Sequence, residues 1–237
     1  MKIYANCREG DWFIRNTDDP EIMKYAVSIP CRIVDFSLTH PADLCRHDGS
    51  AWLFGEELFR EEDLKIVGDF NLGNAMMAAA MAFKLGVSLE DIRDVICTFP
   101  GVEHRIEFVA EHNGIRIYND TKATNTHAAC AALSAFDDNV ILLAGGKDKH
   151  ISFEDLRQYD PIVRHCFSFG QTRDKFKDIF SHQTSVETME QALEEALRIA
   201  RPGDTILLSP ACSSFDQFSN YEERGRIFKE LVRQRLQ

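Results

Sequence analysis

Residues 140–146 read VILLAGG, a run of five apolar residues followed by two glycines. A continuous apolar run of this length is typical of a strand that is buried on both faces of a parallel sheet. Further strands are predicted at 115–118, 163–169 and 205–208, and helical segments are predicted between them. This alternation predicts an α/β fold with a doubly wound, mainly parallel sheet.

Further elements extend from this run in both directions. We expect helices at 20–28, 72–85, 126–136, 153–159, 189–200 and 221–236, a helix that begins at 88, strands at 11–15, 31–35 and 51–54, and a hairpin of 106–110 with 114–118. The sequence Phe99-Pro100-Gly101 interrupts this series, because proline and glycine both end regular structure. We therefore predict two domains, at 1–99 and 100–237.

The composition excludes several classes of protein. The chain has 27 Lys and Arg residues against 38 Asp and Glu residues, which gives a formal net charge of −11. This balance argues against binding to nucleic acid or to an anionic membrane, since both require a dense basic patch. No apolar run is long enough to cross a bilayer, the first residues lack the apolar core of a signal peptide, and the scattered cysteines are typical of reduced thiols. We expect a cytoplasmic protein.

Ligands of doubly wound sheets bind beyond the carboxyl ends of the strands, so the segments that follow the predicted strands are the candidate sites. The first such segment is NDTKATN at 119–125. If it continues as extended chain, Asp120, Lys122 and Thr124 lie on one face. An acid, a cation and a hydroxyl there suit an anionic ligand together with a nucleotide ribose. A solvated loop with a threonine helix cap is equally compatible with the pattern.

Two more segments follow predicted strands. GGKDKH at 145–150 combines glycines with lysines, but it matches neither G-x-G-x-x-G nor the Walker A spacing. When this segment is considered alone, a plain turn is the better interpretation. SPACSSFDQF at 209–218 offers hydroxyls that can donate hydrogen bonds to a carboxylate. Its Cys212 has no evident base beside it and is interpreted as an inert buried thiol.

Two candidate sites lie outside these segments. Arg105 follows the Pro-Gly break and suits a phosphate, and a lone surface arginine is the alternative. Asn71 and Asn74 are three residues apart, so they share one face of a helix that begins there. Paired amides can bind an adenine edge, and helix capping by Asn71 is the alternative.

These segments together resemble one protein family, the Mur ligases of peptidoglycan precursor synthesis. NDTKATN at 119–125 is similar to the ND(S/T)KATN segment of the members that add D-glutamate, and LSPACSSFDQF at 208–218 is similar to their second signature. GVEHR at 101–105 and NLGN at 71–74 fit the family's hinge and adenine-contacting elements. The resemblance covers essentially the whole chain.

The resemblance implies a C-terminal, Rossmann-like, D-glutamate-binding domain at 100–237, preceded at 1–99 by a truncated remnant of the family's central ATPase domain. It implies a cytoplasmic ligase that uses ATP and Mg²⁺ to join D-glutamate to UDP-N-acetylmuramoyl-L-alanine through an acyl phosphate. Such a ligase serves cell wall biogenesis, and hence cell shape and division.

The resemblance also implies roles for individual residues. The α-carboxylate of D-glutamate is expected at Thr124 and Lys149, and its side-chain carboxylate at Ser214 and the backbone N–H of Tyr221. The residues expected to contact the nucleotide are Asn71 and Asn74 at adenine, Arg105 at the phosphates, and Asp120 and Lys122 at the ribose and phosphates.

The sequence contains no G-x-x-G-K-T/S phosphate loop, and by spacing the family's carbamylated, magnesium-associated lysine falls before Met1. We therefore expect the main catalytic elements before Met1, no metal ligands in the chain itself, and no activity of this chain alone. A non-catalytic nucleotide-binding or interaction module with the same fold is the alternative.

Overall fold

The computed structural model describes residues 4–25 and 29–236, and the chain divides into two compact units, Met1–Phe99 and Pro100–Gln237. The helix predicted at 20–28 is present as α1 (Pro20–Tyr25), and its remaining residues lie outside the described ones. No helix in the described ranges is both long and apolar enough to cross a membrane.

Within the described residues, the N-terminal unit contains a five-stranded sheet whose strands lie in sequence order. They are β1 (Trp12–Asn16), β2 (Arg32–Ser37), β3 (Leu44–His47), β4 (Ser50–Leu53) and β5 (Glu56–Arg60). The first three are parallel neighbours, and β4 and β5 continue the sheet as antiparallel hairpins. Sequence patterns do not predict β3 and β5, because these short strands mix charged with apolar residues.

Two helices complete the N-terminal unit, α2 (Asp69–Lys84) and α3 (Leu89–Thr98). The sequence rich in Ala and Met lets α2 pack closely, and Met76, Ala79 and Ala80 are buried in the core of this unit. Ser88, where the sequence predicts that a helix begins, caps α3, since its side chain accepts a hydrogen bond from the N–H of Asp91.

In the described part of the C-terminal unit, the strands are β6 (Glu107–His112), β7 (Ile115–Asn119), β8 (Val140–Gly145), β9 (Val163–Phe169), β10 (Gln183–Ser185) and β11 (Thr205–Leu208). They form one six-stranded sheet in the order β10-β9-β8-β11-β7-β6. All pairs are parallel except the β6–β7 hairpin. The prediction of a mainly parallel sheet is confirmed.

The helices of the C-terminal unit are α4 (Thr126–Leu133), α5 (Met189–Ile199) and α6 (Tyr221–Arg235). Thr188 and Gln191 form a reciprocal capping box at the start of α5. The helix predicted at 153–159 is a 3₁₀ helix over Glu154–Tyr159, and a second 3₁₀ segment, Gly170–Phe176, follows β9. Every residue of β8 is buried, which explains its uninterrupted apolar sequence.

Candidate functional site

The loops that follow β7, β8 and β11 meet at one edge of the C-terminal sheet. β11 lies between β8 and β7, so the carboxyl ends of these three strands are neighbours. Backbone hydrogen bonds then join the loops. The N–H of Asp120 donates to the carbonyl of Leu208 over 2.7 Å, and the N–H of Lys147 donates to the carbonyl of Ser213 over 2.9 Å.

The residues predicted to bind D-glutamate lie on these joined loops. The Lys149 Nζ is 3.0 Å from the carbonyl oxygen of Thr124 and donates a hydrogen bond to it. Ser214 is buried, next to the Ser213 that binds the backbone of Lys147. Lys149 and Thr124 are therefore in direct contact, and Ser214 belongs to a loop that is bonded to the loop of Lys149.

Tyr221 is the first residue of α6, whose cap is Asn220. Backbone N–H groups in the first turn of a helix have no acceptor within the helix, so the N–H of Tyr221 suits an anionic group. The carbonyl of Tyr221 accepts a hydrogen bond from the Thr121 hydroxyl over 3.1 Å. This bond attaches the start of α6 to the loop after β7.

The loop after β7 is not extended, and the expectation that Asp120, Lys122 and Thr124 share one face is wrong. The N–H of Ala123 donates to the carbonyl of Asp120, and the N–H of Thr124 donates to the carbonyl of Lys122. These short-range bonds turn the chain, so that Asp120 is buried, Thr124 is half-buried and Lys122 is exposed. The helix cap that follows is Asn125 rather than a threonine.

Asp120 has both carboxylate oxygens engaged within the protein. Its Oδ2 accepts a hydrogen bond from the Ser209 hydroxyl over 2.7 Å, and its Oδ1 accepts one from the N–H of Ile106 over 3.2 Å. Burial outweighs both bonds and raises the pKa of Asp120 to about 7. In this structure Asp120 fastens the loop after β11 to the segment before β6, and its contact with a nucleotide remains a prediction.

The segment that contains Arg105 is held in an unusual backbone conformation. His104 and Ile106, on either side of Arg105, have φ angles of +70° and +42°. The buried His104 ring accepts a hydrogen bond at Nδ1 from the Asn119 amide over 3.0 Å, when the ring is neutral with its proton on Nε2. Burial lowers the pKa of His104, which favours this neutral form. Arg105 itself is half-buried.

One cluster among the described residues has the composition of a metal site. The ligand atoms of Glu103, His104 and Glu107 lie within 4.8 Å of one another. The Lys229 ammonium already contacts both carboxylates, at 2.6 Å from Glu103 and 2.8 Å from Glu107. A lysine thus supplies the positive charge that these two glutamates require. The third ligand is a histidine nitrogen, whereas Mg²⁺ prefers oxygen ligands, so the cluster does not fit a magnesium ion.

Arg224 lies beneath the joined loops, and sequence reasoning did not single it out. It is fully buried, its Nε donates to the Thr121 hydroxyl over 2.8 Å, and its Nη2 donates to the carbonyls of Thr121 and Cys212 over 2.9 and 3.1 Å. Burial lowers its pKa to about 10, so it remains charged at neutral pH. Its Nη1 has no hydrogen-bond partner in the described part of the chain.

A signal for this burial is present in the sequence. Arg224, Phe228 and Val232 recur at intervals of four along α6, and all three are buried. A cation on the apolar stripe of an amphipathic helix must be buried and paired. This periodicity identifies Arg224 as an interior residue.

The glycines after β8 allow the loops to approach one another. A Cβ atom on Gly145 would lie 2.0 Å from the carbonyl oxygen of Phe169, and one on Gly146 would lie 2.4 Å from that of Ser213. Their sequence signal therefore has a packing explanation. Cys212 is buried beside them, and burial raises the pKa of its thiol to about 11, which agrees with an inert residue.

Asn71 and Asn74 belong to the N-terminal unit, in the first two turns of α2. Asn71 is buried and its Nδ2 donates to the carbonyl of Val67 over 2.9 Å, whereas Asn74 is exposed. The helix cap is Gly68, so the capping interpretation of Asn71 is wrong. The amide of Asn71 nevertheless stabilises the backbone at the start of the helix.

The family described as "Mur ligase, glutamate ligase domain" matches residues 104–212. The chain is also 43% identical over 239 residues to the UDP-N-acetylmuramoylalanine–D-glutamate ligase of Geobacillus kaustophilus, a match that covers 97% of this chain and 53% of the relative. The chain belongs to the Mur ligase family. This confirms the resemblance that the motifs at 119–125 and 208–218 indicate.

Other Mur ligases support the same conclusion. The enzyme of the same name from Aquifex aeolicus is 42% identical, with 98% of this chain and 55% of the relative covered. The chain thus spans about half the length of the curated relatives it matches. A solved structure described as MurF ligase from Thermotoga maritima in complex with ADP shares the fold, with a TM-score of 0.71 at 16% identity over 99% of this chain and 57% of that one.

The fold is also found in a protein that is not named as a Mur ligase. The structure of a bifunctional folylpolyglutamate synthase/dihydrofolate synthase from Yersinia pestis matches with a TM-score of 0.64 at 17% identity, over 95% of this chain and 54% of that one. At this level of identity the likeness concerns the fold alone.

Proposed function

We propose that this Mur ligase chain is part of an ATP-dependent ligase that adds D-glutamate to UDP-N-acetylmuramoyl-L-alanine. The names and the 37–44% identity of its relatives support this reaction. The structural observation that supports it most strongly is the contact of Lys149 with Thr124 on loops joined to the loop of Ser214. We also propose that the protein acts in the cytoplasm, in cell wall biogenesis and therefore in cell shape and division.

The proposed D-glutamate site holds both ends of a small dianion. The Thr124 hydroxyl and the Lys149 ammonium would bind the α-carboxylate. The Ser214 hydroxyl and the N–H of Tyr221 would bind the side-chain carboxylate. Hydrogen bonds to charged groups are the stronger ones, and two of them at each end fix the orientation of the ligand. The amine of D-glutamate then remains free for nucleophilic attack on the activated alanyl group.

The proposed reaction passes through an acyl phosphate. ATP phosphorylates the alanyl carboxylate, the amine of D-glutamate attacks that carbon, and phosphate leaves. The residues of this chain contribute by orienting D-glutamate, which lowers the entropic part of the barrier. Asn71 and Asn74 are proposed to contact adenine, and Arg105, Asp120 and Lys122 the ribose and phosphates. Mg²⁺ would neutralise phosphate charge.

Titration of the isotope-labelled chain with D-glutamate, followed by NMR, tests the proposed site. Backbone signals of Thr124, Lys149 and Ser214 should shift together, with a dissociation constant on the order of millimolar or weaker for so small a ligand. D-alanine, which lacks the side-chain carboxylate, serves as the matched ligand and should leave the Ser214 signal unchanged. Shifts confined to other surfaces would contradict the assignment.

A further inference from the structure

Asp216 follows Ser214 by two residues and binds a different part of the sheet edge. Its Oδ2 accepts a hydrogen bond from the N–H of Gln171 over 3.1 Å, just beyond the end of β9. The carboxylate packs directly against Gly170, since a Cβ atom built there would lie 2.2 Å from this same oxygen. Asp216 therefore attaches the loop after β11 to the loop after β9.

Gln217 makes a second attachment. Its Nε2 donates to the carbonyl of Glu187 over 2.7 Å, and its Oε1 accepts from the N–H of Met189, the first residue of α5, over 3.4 Å. The same carbonyl of Glu187 accepts from the N–H of Gly170 over 3.3 Å. Three segments of the C-terminal unit therefore meet at one carbonyl group.

A tight turn connects these attachments to Ser214. The carbonyl of Ser214 accepts hydrogen bonds from the N–H groups of Gln217 and Phe218, over 3.1 and 2.9 Å. Displacement of Gln217 consequently moves Ser214, because only one turn separates them. On the other side of Ser214, the loop is held by Lys147 and Arg224, which bind the carbonyls of Ser213 and Cys212.

We propose that Asp216 and Gln217 are positioning residues that fix the place of the Ser214 hydroxyl in the D-glutamate site. This rests on the proposed function, in which Ser214 binds the side-chain carboxylate. The hydrogen bonds of both side chains go to backbone groups near Gly170 and α5, which have no role in the proposed binding of ligand. Their effect on D-glutamate is therefore exerted through Ser214.

The first experiment measures the dissociation constant of D-glutamate in single variants of the chain by NMR titration. Asp216→Ala and Gln217→Ala should each raise it about two- to tenfold, the range for losing ordinary hydrogen bonds that hold the loop. Asp216→Asn should rescue binding, because its amide oxygen still accepts from Gln171. Gln158→Ala is the matched control, since the Gln158 amide donates to the backbone carbonyl of Asp155 over 2.7 Å and should not affect binding.

The second experiment combines these variants with Ser214→Ala. If Gln217 acts through Ser214, the double variant should bind D-glutamate no more weakly than Ser214→Ala alone. The inference is overturned if the effects of the two substitutions add in the double variant, or if both single alanine variants bind D-glutamate as the unmodified chain does. Either result leaves the proposed function intact. If the unmodified chain does not bind D-glutamate at all, the proposed function fails and the inference fails with it.

A measurement without ligand accompanies both experiments. Amide hydrogen exchange of Phe218, whose N–H donates to the carbonyl of Ser214 over 2.9 Å, should accelerate in Asp216→Ala and Gln217→Ala of the free protein and remain slow in Asp216→Asn and Gln158→Ala. Equal exchange rates in all four variants would overturn the inference, even if an alanine variant bound D-glutamate weakly because its overall stability had fallen.

Discussion

Lys149 reaches across from the loop after β8 and donates a hydrogen bond to the carbonyl oxygen of Thr124, 25 positions earlier in the sequence. The two residues proposed to share one carboxylate are thus already in contact before a ligand arrives. A lysine that is held in place loses less side-chain entropy when it binds an anion, so its ammonium group is preorganised for that task.

Replacement of Lys149 by alanine should weaken D-glutamate binding strongly. Hydrogen bonds to charged groups contribute about 1.5–3 kcal/mol. The dissociation constant, or the D-glutamate KM of a complete ligase that contains this chain, should therefore rise roughly 10- to 150-fold. Lys177→Ala removes the same charge from the same unit, where Lys177 pairs with Asp174 at 2.7 Å, and should have no effect. Unchanged D-glutamate affinity in Lys149→Ala would contradict the proposed site.

Asp120 should make the stability of the C-terminal unit depend on pH. Its pKa is raised to about 7 in the folded protein, against about 3.9 in an unfolded chain. Between these values the folded protein binds a proton that the unfolded chain has released, so the free energy of unfolding falls as pH rises, by on the order of 4 kcal/mol.

Urea unfolding of the wild-type chain and of Asp120→Asn at pH 4.5 and pH 8 tests this effect. The asparagine retains a side-chain acceptor for the N–H of Ile106 but does not titrate. The wild-type chain should lose more stability between the two pH values than the variant does. An identical loss in both proteins would show that burial of Asp120 does not raise its pKa in solution.

Gly146→Ala should destabilise the protein beyond the cost of its backbone conformation. Gly146 has a φ angle of +141°, and a Cβ atom there would lie 2.4 Å from the carbonyl oxygen of Ser213. Gly203 has a φ of +97° with open space around it, so Gly203→Ala isolates the backbone cost of about 1–3 kcal/mol. Chemical denaturation should show a larger loss for Gly146→Ala. Equal losses would mean that the loops after β8 and β11 are not packed closely.

The two compact units should separate on limited proteolysis. Pro100 begins the second unit, and Phe99, Pro100 and Val102 are exposed. A low-specificity protease should cut there and leave a resistant fragment that begins near residue 100, because exposed connecting segments are cleaved before packed cores. Recovery of residues 1–99 as the resistant core would contradict this division.

The strand-end loops could be located from sequence because β8 is a continuous apolar run, β7 and β11 are short segments rich in Ile, Leu and Tyr, and parallel strands open their carboxyl ends at one edge. The course of the loop after β7 could not be predicted from the sequence. Hydrogen bonds to the carbonyls of Asp120 and Lys122 turn this loop, and the turn depends on how the loop packs between other segments. The assignment of individual residues to ligand groups came from the family motifs.

The interior polar residues were harder to foresee. Asp120 carries the sequence pattern of an exposed ligand contact, yet it is buried and accepts a hydrogen bond from Ser209, 89 residues later. Arg224 carries a periodicity that indicates burial, but its partners Thr121 and Cys212 become evident only when α6 is placed beneath the loops. In both cases the deciding contact is between segments far apart in sequence.

The place of β11 in the sheet has a consequence for biosynthesis. β11 follows every other strand of the C-terminal unit in the sequence, yet it pairs with both β7 and β8 and separates them. As the chain leaves the ribosome, β7 and β8 emerge before β11. Their inner edges remain unpaired until β11, which ends at Leu208, has also been made. A nascent chain that stops before this point contains two parts of a sheet without the strand that joins them, and its unpaired edges favour aggregation.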